Sequence, residues 1–214
     1  MKSSEIAIPV GDSKINGNLT LVPNSKGLVV FAHGSGSSRF SKRNQYVADV
    51  LNKSKISTFL FDLLTEKEDE VDQYTAEFRF NIPLLAERLI LVTSWLKDNK
   101  NTTHFKLGYF GSSTGSAAAL IAAAKLPEHI SAVVSRGGRP DLAFEFLPKV
   151  KAPTLLIVGG WDDEVIQLNE TAFAHLKCVK EISIIPNATH LFEETGTLEQ
   201  VAKVAADWFV KYLR

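Results

Sequence analysis

The chain has 214 residues, 24 lysines and arginines balanced by 24 aspartates and glutamates, and 45% hydrophobic residues. That length and content support one well-buried core without disulfides or metals, and the zero net charge gives no electrostatic reason for a nucleic-acid or membrane-surface partner. The single cysteine, Cys178, excludes an intramolecular disulfide and reads as a small buried hydrophobe rather than a reactive thiol.

The opening residues MKSSEIAIPVGDS lack the apolar centre of a secretory signal, and the run AAALIAAA is far too short to cross a bilayer. A cytoplasmic location is therefore expected. EIAIPV and NGNLTLV, on either side of a turn-rich stretch, read as an antiparallel pair. KGLVVFAHG is a buried strand that ends in a glycine-rich loop, and a helical pattern follows around Tyr46, Val47, Val50 and Leu51. STFLFDLL is another buried strand. After it comes an acidic stretch without periodicity, TEKEDEVDQYTAEFRF, expected to be a loop. Leu85, Leu89, Val92 and Leu96 then mark one face of a helix over about 83–97.

FKLGYFG is the next strand and SAAALIAAAKL its helix. ISAVVSRGG and APTLLIVGG are continuous apolar strands, each stopped by a glycine pair. A helix from about 165 to 177, the strand EISIIP and a last helix complete the chain. Thr197 and Gln200 have the spacing of a capping box for that last helix. Apolar strands without alternation, separated by amphipathic helices, predict a mostly parallel α/β sheet of about eight strands covered on both faces. Residues 1–214 form one domain on this reading.

Five strands finish in small or polar residues: HGSGSS at 33–38, Asp62, GSSTG at 111–115, SRGGR at 135–139 and GGWDDE at 159–164. The carboxyl ends of parallel strands share one edge, where ligands bind, so these loops should converge. Only Ser113 has glycine both two before and two after it, the pattern G-x-S-x-G, in which the flanking glycines permit a tight strand-to-helix turn that exposes the hydroxyl. The ordinary structural alternative is a glycine turn that packs a helix closely on a strand.

A serine hydroxyl needs a base. His104 and His129 precede strands, and His175 falls within a helix, so all three read as surface or packing residues. His33 is assigned to supporting its loop. His190, between the last strand and the last helix, lies at the correct edge. For the acid that orients it, Asp162 and Asp163 compete. Asp163 is placed to cap the following helix and Glu164 to complement its dipole, which leaves Asp162 for the histidine. No convergent His or Cys ligands indicate a metal, and no cofactor is called for. The backbone N–H groups of Thr114 and Ser35 are the expected oxyanion donors. Arg39, Arg43, Arg136 and Arg139 follow strands at the same edge. They are either ordinary loop arginines or the receivers of a substrate carboxylate or phosphate.

The segments FAHGSGSS, GYFGSSTG, LLIVGGWDDEV and IPNATHLFEE, with the order Ser113, Asp162, His190, resemble the α/β-hydrolase superfamily and its dienelactone-hydrolase-like branch. The resemblance covers nearly the whole chain. It implies an α/β-hydrolase fold, an antiparallel amino-terminal strand, and Ser113, Asp162 and His190 as nucleophile, acid and base. The enzymes that give the branch its name use a cysteine where this chain has Ser113, so a general esterase, lactonase or thioesterase acting on a small-molecule ester-like substrate is expected. A non-catalytic binding protein and an acyltransferase on the same triad are the alternatives. The 138–152 interval leaves room only for a short helix, so no large cap domain is expected, and residues 65–82 are the candidate lid.

Overall fold

The computed structural model describes residues 1–214 as an eight-stranded sheet with helices on both faces. Strands β1 (Lys2–Val10) and β2 (Ser13–Leu21) form an antiparallel hairpin. Its two-residue turn places Gly11 at φ +54°, a value suited to the primed turns that join such strands. The rest of the sheet consists of β3 (Gly27–Ala32), β4 (Ser57–Phe61), β5 (Lys106–Ser112), β6 (Ile130–Arg136), β7 (Thr154–Gly159) and β8 (Lys180–Ile185). The strand order is β1-β2-β4-β3-β5-β6-β7-β8, with β2 antiparallel to β4 and every later pairing parallel. The chain reverses direction across the sheet at β3, where one loop serves both halves. Ligands bind at such a switch point.

Two apolar layers sandwich the sheet. Helices α1 (Lys42–Lys53) and α6 (Thr197–Leu213) cover one face, where Phe31, Phe110, Val134 and Phe209 meet. Helices α3 (Ile82–Asp98), α4 (Thr114–Lys125) and α5 (Asp163–His175) cover the other, with a 3₁₀ segment at Pro140–Lys149. Helix α4 is buried on nearly all sides from Thr114 to Ala123. Its alanines let it lie close to the sheet, fixing its first turn directly above the end of β5. The 3₁₀ segment is all that intervenes between β6 and β7, so no large cap domain is present.

The acidic stretch differs from the expected loop. Residues Glu66–Thr75 form helix α2, because Thr65 and Glu68 make a reciprocal capping box: Glu68 N–H donates to Thr65 Oγ1, and Thr65 N–H donates to Glu68 Oε2. Acids crowd its first turn, where the helix dipole favours them. Asp72 then accepts from the N–H groups of Phe78 and Arg79 and from Arg79 Nε, while Arg88 pairs with Glu68 at 2.6 Å. The hydrophobic pattern is silent here because α2 is held by polar contacts.

The proposed capping box at the last helix is not formed. Gly196 is the N-cap of α6, Thr197 already lies in the helix with its hydroxyl donating to Glu194 O, and Gln200 Nε2 donates to Gly196 O. At α2, by contrast, the box is the main local anchor. Thr65→Ala should cost about 1 kcal/mol and speed amide exchange selectively across 66–75, which hydrogen-exchange mass spectrometry measures against unchanged exchange in α3.

Candidate active site

Ser113 stands between β5 and α4 at φ 49°, ψ −121°, as the N-cap of α4 with no side-chain cap bond. Four backbone and side-chain contacts hold it there. Its N–H donates to Arg136 O at 3.1 Å, and its carbonyl accepts from Ser116 N–H (3.1 Å), Ser116 Oγ (2.7 Å) and Arg139 N–H (3.2 Å). The flanking glycines are required by contact. A Cβ on Gly111 would lie 2.4 Å from Ser116 Cα, and one on Gly115 would lie 2.3 Å from the carbonyl oxygens of Ala32 and His33. Ser116 lies in the first turn of α4, where the segment SAAALIAAAKL opens. Its hydroxyl ties the elbow to the loop after β6, donating to Ser113 O and accepting from Arg139 N–H at 3.0 Å.

His190 Nδ1 and Asp162 Oδ2 are 2.7 Å apart, with the carboxylate less exposed than the ring. The two loops that carry them are joined by Trp161 N–H donating to Ala188 O at 2.9 Å. The expected roles of the neighbouring acids change in one respect. Helix α5 begins at Asp163, so Asp163 lies in its first turn and is not the cap; Asp162 occupies the N-cap position. The Asp162 side chain forgoes the cap bond because it is turned to His190. Below His190, Glu194 accepts from Thr189 N–H and Thr189 Oγ1, closing the loop on itself.

The elbow and the histidine meet across Gly137. A Cβ there would lie 3.2 Å from His190 O and 3.5 Å from His190 Cε1, and the adjacent Arg136 O is the acceptor of Ser113 N–H. No hydrogen bond joins Ser113 Oγ to His190 in this resting geometry, and such contacts commonly tighten only with substrate. On the opposite side, a Cβ on Gly34 would lie 3.2 Å from Ser113 Cβ, so the loop carrying Ser35 passes directly beside the serine. The first N–H of α4, that of Thr114, faces the same end of the helix, where the dipole favours negative charge.

His33 is fixed in one neutral tautomer. Leu63 N–H donates to its Nε2 at 3.0 Å, so Nδ1 carries the proton and donates to Gly34 O at 2.9 Å. Burial lowers its pKa below the usual histidine value, against a smaller opposing effect of the Gly34 bond. This residue braces the Ser35 loop and is not free to take a proton. His175 lies on α5, its ring 4.3 Å from that of Phe144.

The four arginines are not equivalent. Arg39 is paired with Asp62 and with Glu5, and Arg139 makes a forked contact with Asp141 at 2.9 and 2.7 Å. Arg43 pairs with Glu193 at 2.9 Å. Arg136 is buried and has no acidic partner. A cavity of 850 Å³ adjoins the Ser35 loop through His33, Gly36 and Ser37 and extends to Asp62, Asp69 and Arg79. Its walls include neither Ser113 nor His190, and helix α2 forms its far side.

The dienelactone hydrolase family profile matches residues 41–213. The chain belongs to that family. It is similar to a dienelactone hydrolase from Anabaena variabilis, at 55% identity over 100% of this chain and 99% of that one, with a TM-score of 0.98. Est1E from Butyrivibrio proteoclasticus shares the fold at 15% identity, covering 97% of this chain and 98% of its own, with a TM-score of 0.82. Two Mycobacterium tuberculosis proteins, each named "Putative phosphoribosyl transferase", are 51% identical over 213 residues. Those matches take in 100% of this chain and 47% of each relative, so the chain spans about half the length of these curated relatives. The family and the fold agree with the hydrolase architecture, and no helix is long and apolar enough to cross a membrane.

Two outcomes follow from the packing. Gly115→Ala should destabilise by about 1–3 kcal/mol or more, seen as a lower urea midpoint at unchanged slope, because the contact is with backbone that cannot swing aside. His33 supplies a pH dependence. Its native pKa lies below the unfolded value of about 6.5, so the unfolded state binds the proton first. Stability is therefore complete above that unfolded value and falls as pH drops toward the lower native pKa, by at most about 1.4 kcal/mol per unit. Urea titrations of wild type and His33→Gln between neutral and mildly acid pH should show this slope in wild type only.

Proposed function

We propose that this chain is a serine hydrolase that cleaves a small ester-like substrate, ester, lactone or thioester, through an acyl-enzyme on Ser113. The observation that carries the reading is the strained Ser113 backbone held beside the His190–Asp162 pair. A glycine turn serving only close packing has no need to place a non-glycine residue at φ 49°, ψ −121°, which lies outside the left-handed helical region that Ala76 adopts at φ 56°, ψ 20°. Such strain persists where surrounding contacts impose it, as the bonds to Arg136, Ser116 and Arg139 do.

In the first step Ser113 Oγ attacks the acyl carbon while His190 Nε2 takes its proton. Asp162 accepts from Nδ1–H, keeping Nε2 as the basic nitrogen and stabilising the imidazolium. The oxyanion is received by the N–H groups of Thr114 and Ser35. His190 then gives its proton to the departing alcohol or thiol, leaving the acyl group on Ser113. In the second step water loses a proton to His190 and attacks the acyl carbon. Collapse returns the proton to Ser113 Oγ and releases the acid. No cofactor enters either step.

The phosphoribosyl transferase name belongs to proteins about twice this chain's length. The geometry of Ser113, His190 and Asp162 supports acyl transfer in the half that matches.

A fluorophosphonate probe should label wild type and leave Ser113→Ala unlabelled, with labelling slowed in His190→Ala. With a short-chain aryl ester, Asp162→Asn should lower kcat by about 10³- to 10⁴-fold while KM changes little. Equal labelling of wild type and Ser113→Ala would overturn the assignment.

A further inference from the structure

Beside the elbow, two neighbouring arginines share a single carboxylate, and one of them, Arg136, has none of its own. Arg136 ends β6 opposite Ser112 and is 7% exposed. Its Nε is sealed from solvent without a hydrogen-bond partner, and no carboxylate pairs with it. Its guanidinium lies 5.7 Å from the centre of the Phe192 ring. The charge that it does face is another cation, Arg43 on α1, whose Nε is likewise sealed and unpartnered. Burial first, then Arg43, pull the Arg136 pKa down to about 10, which still leaves it charged at neutral pH. Arg39 and Arg139, at the same sheet edge, each have a carboxylate, as Arg43 has Glu193; of the four, Arg136 alone has none.

A buried charge without a partner is strongly unfavourable, and native folds normally pair it. The one acid at this pair is Glu193, largely exposed, which reaches Arg43 alone. We propose that Arg136 and Arg43 form a binding site for a small oxyanion, a carboxylate or phosphate group, beneath the loop that carries His190. Two guanidiniums from different elements suit the forked oxygens of either group, and two sealed Nε donors await acceptors. An incoming anion would bridge the two arginines and compete with Glu193 for Arg43.

The site adjoins the candidate catalytic groups. Arg136 O accepts the N–H of Ser113, and Phe192 and Glu193 lie two and three residues beyond His190 in its loop. Occupancy therefore bears on the position of His190. The anion has two possible sources: a charged arm of the substrate, which rests on the hydrolase reading above, or a free anion, which does not.

The test has two arms. In the first, inorganic phosphate is added at constant ionic strength and thermal unfolding is followed for wild type, Ser113→Ala, Arg136→Met and Arg43→Gln. In the second, kcat/KM is compared for the p-nitrophenyl esters of succinic acid (one free carboxylate) and of valeric acid, which is of similar size and neutral. A free-anion site predicts a phosphate-dependent rise in Tm in wild type and Ser113→Ala that is lost in Arg136→Met and reduced in Arg43→Gln. A substrate-borne anion predicts at least about tenfold preference for the succinate ester, carried by KM and abolished by the same two substitutions. Arg136→Lys keeps the charge without the fork, and should retain part of either effect if Arg136→Met fails to fold. Absence of both effects in wild type, or their persistence in Arg136→Met and Arg43→Gln alike, would overturn the proposal. The phosphate arm in Ser113→Ala needs no turnover, so its result stands apart from that of the hydrolase reading.

Discussion

Ser113 sits at φ 49° and ψ −121°, a conformation that side-chain-bearing residues rarely adopt, and the chain holds it there by surrounding it with fixed backbone. That conformation costs about 1–3 kcal/mol. The bonds to Arg136, Ser116 and Arg139 oppose the cost, and the buried alanine helix α4 gives the turn no room to relax. Much of the carboxyl edge follows from this point. Gly111 and Gly115 are small because the turn brings Ser116, Ala32 and His33 against them. The Ser35 loop passes the serine because β3 ends beside β5, and Gly137 leaves space for the His190 ring.

Hydrogen-bond arithmetic separates the histidines of this edge. His33 is offered a backbone donor at Nε2 and a backbone acceptor at Nδ1, which together demand the neutral ring and leave neither nitrogen free. His190 is offered a carboxylate at Nδ1, which demands a proton there and leaves Nε2 without a hydrogen-bond partner. Asp162 shows the same selection. At the N-cap of α5 it occupies a position where an aspartate ordinarily bonds helix N–H groups, and it bonds the histidine instead.

Much of this was legible in the chain itself. Continuous apolar strands, glycine pairs at their ends and the spacing around Ser113 placed the sheet, its edge and the serine, because each reflects a local steric rule. The order of Ser113, Asp162 and His190 agreed with a fold in which those loops converge. Helix α2 was not legible, since hydrophobic periodicity reports buried apolar faces and this helix is held by a capping box and by Asp72, Arg79 and Glu68. Thr197 misled for a related reason: spacing suggested a cap, but Gly196 at φ +81° turns the chain one residue earlier. The arginines looked alike in sequence. Only three dimensions show that Arg39 and Arg139 have carboxylates and Arg136 has none.

The central claim is that an acyl group resides on Ser113 during turnover. Rapid acid quenching of wild type during hydrolysis of p-nitrophenyl acetate, followed by peptide mass spectrometry, tests it most directly. A single acetyl group is expected on Ser113 in the peptide spanning the elbow, accumulating further in a variant with slowed deacylation. Turnover with the acetyl group on Ser112 or Ser116, or undiminished turnover in Ser113→Ala, would contradict it.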